Sequence, residues 1–142
     1  MNQSWLLFAI ISAVFAAATS LLAKVGIKGV DSNLATAIRT VVITVFAWGI
    51  VWAQGTVKQV TTLSRTTIIF LVLSGLATGL SWLFYFRALQ LGEASKVVPI
   101  DKLSLVLAVI MAGVFLHEKL TLPTIVGSSL ITIGVLVMAL WK

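Results

Sequence analysis

The chain has 142 residues, of which 60% are hydrophobic and only 10% charged, with a mean hydropathy of +1.14. A soluble domain carries about 25% charged residues, so this composition describes an integral membrane protein with room for one domain. It has no cysteine, which excludes a disulfide framework, a thiolate metal site and a cysteine nucleophile. The net charge of +6 does not mark a nucleic-acid binder, because the basic residues stand singly at the ends of apolar runs, where they anchor helices to headgroups.

Five apolar segments of about 20 residues follow one another, each long enough to cross a bilayer as a helix. The first is Trp5–Ala23. It resembles a signal-peptide core up to Ala18, but Met1–Ser4 holds no Lys or Arg and the run continues, which predicts a retained span. Ala9, Ala13, Ala16 and Ser20 share one face, as close packing in lipid requires. Gly29 is expected to end this helix in a left-handed residue, and Asp31, Ser32 and Asn33 offer caps for the second span, Leu34–Ala53. That span carries Arg39 well inside. The polar stretch Gln54–Thr66 reads as a loop.

The third span, Thr67–Phe86, contains Gly75 and Gly79 in a GxxxG pattern and ends in the aromatic belt Trp82-Leu-Phe-Tyr85-Phe-Arg87. Gly92 closes it and Glu93-Ala94 turns the chain. The fourth span covers about 97–116, its helix expected to start near Pro99 or a turn earlier, with Asp101 and Lys102 in its first turns. His117-Glu118-Lys119 returns to water. Thr121 is expected to cap the fifth span, about 122–141, with Pro123 tolerated in its first turn.

Charges inside a span cost roughly 2.5–3.5 kcal/mol each on insertion scales, so those retained ask for an explanation. Alternation along five spans puts Arg39, Arg87, Glu93, Asp101 and Lys102 in one leaflet. A pair such as Asp101–Arg39 is the expected result, with Ser104 one turn beyond extending a polar stripe. The expectation is a solute pathway. Structural roles compete with it: Asp101 at the third helical position would meet free N–H groups if Pro99 opens the helix, and Lys102 would snorkel. Arg39 serves equally well as a structural ion pair or a gate, and Arg87 as a belt anchor. His117 and Glu118 read as a solvated loop.

An odd number of spans puts the termini on opposite sides. Lys24, Lys28, Lys96 and Lys142 then lie on one side and Lys58, Arg65 and Lys119 on the other, leaving aside Arg39, Arg87 and Lys102 at helix ends. Four against three sets no orientation, which predicts dual topology. No nucleophile–base pair, metal spacing or phosphate loop occurs, so an enzyme, a cofactor and a metal are not expected.

The run YFRALQLGEASKVVPIDKLSLVLAVIMAGVFLHEKLT resembles the C-terminal part of an EamA-type domain of the drug/metabolite transporter superfamily. There an aromatic third helix ends in Y-x-x-A-L, followed by a Gly-[ED]-A-S turn, a proline-containing fourth helix and an L-G-E-[RK]-L-T exit. In this chain His117 stands where that exit has Gly. The phrases Asp31-Ser-Asn-Leu-Ala-Thr-x-x-Arg39 and Pro99-Ile-Asp-Lys-Leu-Ser resemble the half-length members, and Gly127 to Val135 resembles the last helices of the superfamily. The first span lacks the carboxylate that small multidrug transporters use for exchange.

The resemblance implies an all-α integral membrane fold, with five transmembrane helices per chain forming one inverted-repeat unit. It implies a secondary transporter, an exporter of a small metabolite or drug-like solute by alternating access, resident in the cell inner membrane. Larger members join two inverted units, so a half-length chain is expected to pair antiparallel with itself or with a similar half. Gly127 and Gly134, on one face, are expected at or near that seam, with ordinary packing within the chain as the alternative. A lipid-linked substrate flippase and a non-transporting subunit of a complex are rival readings.

Overall fold

The structure, a computed structural model, describes residues 4–140. Trp141 and Lys142, the expected end of the fifth span, lie outside the described residues. The elements in order are α1 (Ser4–Gly26), α2 (Ser32–Ala53), a short 3-10 helix (Thr56–Thr62), α3 (Arg65–Leu91), α4 (Ala94–Asp101), α5 (Leu103–Phe115) and α6 (Leu122–Leu140), with no strand among the described residues. Five stretches are long and apolar enough to cross a membrane, α4 and α5 together making the fourth. The fold class is all-α integral membrane.

Caps set the helix ends. Gly29 adopts φ +73°, a left-handed value that costs a residue with a Cβ about 1–2 kcal/mol. Asp31 then caps α2, its Oδ1 accepting the N–H of Asn33 at 2.9 Å and of Leu34 at 3.1 Å. Ser64 caps α3 through its hydroxyl, 3.0 Å from the N–H of Thr67. Thr121 does the same for α6, more loosely, at 3.4 Å from the N–H of Thr124. Hydroxyls inside the spans turn back on their own helix: Ser20, Thr36, Thr40, Thr78 and Thr132 each donate to the carbonyl four residues earlier. In lipid that bond replaces the water such a group otherwise needs.

Two boundaries differ from the sequence reading, and a third falls on one of its alternatives. The stretch Gln54–Thr66 is not all loop, because Thr61 and Thr62 donate to the carbonyls of Lys58 and Gln59 and tighten a 3-10 helix. α3 runs on to Leu91, a turn and more past the aromatic belt. The fourth helix opens at Ala94, the earlier of the two starts the sequence allowed and just over a turn ahead of Pro99: the Glu93 carbonyl accepts the N–H groups of Lys96 and Val97.

Pro99 therefore lies inside α4, where its missing N–H breaks one rung of the ladder. Lys102 follows at φ −70°, ψ −7°, its N–H on Pro99 and its own carbonyl taking Leu105, both three-residue spans at 3.0 Å. Asp101 is thus the last residue of α4. It does not sit at an N-terminal third position, and the capping role expected for it there is withdrawn.

The chain divides into two compact units, each described by itself. One is Leu22–Gln90; the other joins the chain up to Leu21 with the chain from Leu91. In the second unit α6 packs along α4 and α5. The exit after α5 turns at His117, which holds φ +53°, while Leu120 folds back against Gly113, where a Cβ would lie 3.1 Å from the leucine side chain. In the Leu22–Gln90 unit the buried residues are Ala23, Ile27, Ser32, Ala35, Thr36, Phe86 and Leu89. They gather where the end of α1, the start of α2 and the end of α3 meet.

Candidate functional site

That meeting point is stitched by hydrogen bonds between residues far apart in sequence. The last carbonyls of α3 lack helical partners, and the Lys24 ammonium donates to the carbonyl of Leu89, itself fully buried. The Gln90 amide donates to the carbonyl of Val30 at 2.7 Å and of Ile27 at 3.4 Å, in the turn between α1 and α2. Its oxygen in turn accepts from Arg87 Nη1 at 2.8 Å. Arg87, expected as a belt anchor or pathway residue, thus fixes the side chain that holds the turn.

Arg39 projects from α2 into the same region. Its guanidinium carbon stands 4.3 Å above the centre of the Phe86 ring. Such a cation–π contact contributes about 0.5–2 kcal/mol, the larger figure when water is excluded. Phe86 is 1% exposed and is held in turn by Tyr85, edge-on at 5.4 Å, and by Trp82 at 6.4 Å. The ring attracts the charge yet offers no lone pair, and Arg39 Nε is buried without a hydrogen-bond partner. Asp31 is the one acidic residue of this unit, and one of its oxygens is engaged in capping α2.

Beside Arg39 lies a cavity of about 270 Å³, walled by Leu22, Ala23, Gly26, Ile27, Ala35 and Ile38. A second hollow of about 490 Å³ lies between Asp31, Ser32, Asn33 and the α3 residues Leu83, Phe84 and Arg87. The first is apolar apart from its arginine. It is the site in this unit where a charge, an unused donor and a half-open hollow coincide.

In the other unit, Asp101 pairs with its neighbour Lys102, Nζ to Oδ2 at 3.3 Å, the two side chains 31% and 52% exposed. Ser104, in the first turn of α5, is exposed. Glu93 and Lys96 form a loose pair at 3.9 Å. Among the described residues no group of three His, Cys, Asp or Glu side chains gathers to hold a metal. Gly75 and Gly79 in one unit, and Gly127 and Gly134 in the other, have no atom of their own unit beyond their own helix backbone and chain neighbours within 4 Å of where a Cβ would stand.

The structure thus brings Arg39 to Phe86 and Asp101 to Lys102. The sequence reading missed Lys24, Phe86 and Gln90. Gln90 offered one signal, standing three residues after Arg87 as the one amide in an apolar stretch. Phe86 offered none that sets it apart from the other aromatic residues of the belt.

The chain matches the EamA-like transporter family over residues 3–140. A protein of Sinorhizobium sp named as an uncharacterized transporter in the cobO 3′ region is 48% identical over 141 residues, covering 99% of this chain and all of the relative. The uncharacterized transporter YvbV of Bacillus subtilis is 34% identical over 70 residues, which is 49% of this chain and 22% of that protein. An uncharacterized protein of Methanocaldococcus jannaschii, MJ1333.1, is 29% identical over 83 residues, 58% of this chain and 61% of the relative. No solved structure matches. With five apolar helices and a match across nearly its whole length, the chain belongs to the EamA-like transporter family as a half-length, multi-pass membrane member.

Proposed function

We propose that this chain is half of a secondary transporter that exports a small metabolite or drug-like solute, and that a second copy inserted upside down completes it. Family membership supplies the coarse statement, a membrane transporter. The finer reading rests mainly on one observation: an arginine kept inside an apolar span whose partner is an aromatic ring, with Nε buried and unpartnered at a cavity wall. A purely structural arginine in lipid is expected to spend its donors on a carboxylate or on carbonyls.

In this proposal the 142 residues form a single five-helix domain, and two such domains enclose a solute path. Arg39 contacts the solute, and Asp101, Ser104, Lys102 and Arg87 are the further residues assigned to its pathway. Alternating access rocks the two inverted copies about that path. Dual insertion in the inner membrane is consistent with the near-balanced loop charges, and the bare faces at Gly127–Gly134 and Gly75–Gly79 suit close contact with another backbone. The test is uptake by proteoliposomes holding the purified chain. Counterflow of a small solute that Arg39→Gln reduces at least tenfold supports the reading; a chain that moves nothing and copurifies with a different membrane protein supports an accessory subunit.

A further inference from the structure

The cavity beside Arg39 also carries information about what enters it. We propose that it binds a small organic monoanion with an apolar body, an assignment that rests on the transport reading above and narrows its substrate class.

Charge comes first. The Leu22–Gln90 unit holds six basic side chains and one acidic one, and that acid caps α2. A cationic solute would meet Arg39, with Lys28 exposed nearby in sequence and Asp31 the one acidic residue of the unit. The Arg39 guanidinium stands over the Phe86 ring, which offers no lone pair, and its buried Nε–H has no hydrogen-bond partner. A carboxylate supplies both, since the guanidinium fork matches it with two parallel bonds.

The remaining walls decide the rest of the molecule. Leu22, Ala23, Ile27, Ala35 and Ile38 present hydrocarbon, so hydroxyls placed there would lose water and gain no partner. The volume of about 270 Å³ falls just below the usual range of ligand sites, which run from roughly 300 Å³ upward. One ring or a short branched chain behind one carboxylate suits such a space.

The experiment is calorimetric titration of the purified full chain, in uncharged detergent, with benzoate, benzamide and benzamidinium. These share a ring and differ in charge. Benzoate is expected to bind about tenfold or more tightly than benzamide, as a charge-assisted hydrogen bond gives, and benzamidinium not at all. Arg39→Gln is expected to bring benzoate down to the benzamide level. Gly26→Leu, which places a side chain in the cavity where no atom now lies within 4 Å, is expected to weaken both. Equal affinity for the three probes, or benzoate binding unchanged in Arg39→Gln, overturns the proposal. The comparison of probes on the unaltered chain decides it even where a variant fails to fold.

An anionic lipid headgroup offers the same chemistry. Phosphatidylglycerol is therefore titrated in parallel: binding through Arg39 by the lipid and not by benzoate assigns the site to lipid and overturns the solute. Benzoate binding without counterflow of benzoate keeps the anion site and removes the transport reading. Counterflow of another solute, unaffected by benzoate and by Arg39→Gln, keeps transport and removes the anion site.

Discussion

The two units of this chain handle their polar groups in opposite ways. In Leu22–Gln90 the polar contacts reach across the sequence: Lys24 to Leu89 and Gln90 to Ile27 and Val30 span 60 to 65 residues and tie three helix ends together. In the other unit the two ion pairs among the described residues are local, Asp101 with Lys102 and Glu93 with Lys96. Long-range bonds under buried Phe86 and Leu89 fix a geometry, which a binding site needs. The break after Pro99 separates α4 from α5, and α6 packs along both.

The sharpest way to break this contrast is Phe86→Ala. It removes a fully buried ring and the support of Arg39, and is expected to cost about 3 kcal/mol, read as a lowered thermal midpoint in detergent. Next is Gln90→Leu, which leaves the Val30 and Ile27 carbonyls and Arg87 without their partner. It is expected to cost about 1–3 kcal/mol and to speed amide hydrogen exchange in the turn after α1.

His117→Gly works in the other direction. Relieving a left-handed histidine is expected to stabilise the chain by about 1 kcal/mol, whereas Gly29→Ala costs about as much. The smallest effect on stability is expected for Asp101→Asn, under about 0.5 kcal/mol, because its partner is an exposed neighbour. The same change is expected to lower transport several-fold. A loss of stability there as large as that of Phe86→Ala would erase the contrast between the units.

What the sequence made legible follows from local physics. Apolar length marks a span wherever it occurs, and Gly29, Asp31 and Thr121 act on residues two to four positions away, so their roles can be read in place. Pro99 misled for a physical reason. Proline favours the first turn of a helix but is also carried inside one when the preceding turn is already closed, here on the Glu93 carbonyl. His117, standing where the resembled exit pattern has Gly, was legible as a departure, and its φ of +53° is a backbone conformation that glycine adopts without strain. The clamp of Gln90 on the first turn, and the ring beneath Arg39, depend on helices meeting across half the chain. No local pattern encodes that meeting. The charge of Arg39 was visible in sequence; the aromatic surface opposite it was not.

The most direct test uses the absence of cysteine from the chain. A single thiol placed at Ile38, on the wall beside Arg39, is treated in intact membranes with a water-soluble maleimide and compared with one at Phe46, farther along α2. The account predicts that Ile38→Cys is labelled, that benzoate protects it, and that Phe46→Cys is inert. Equal inertness at both positions would mean that water never reaches Arg39, and would contradict a solute site there.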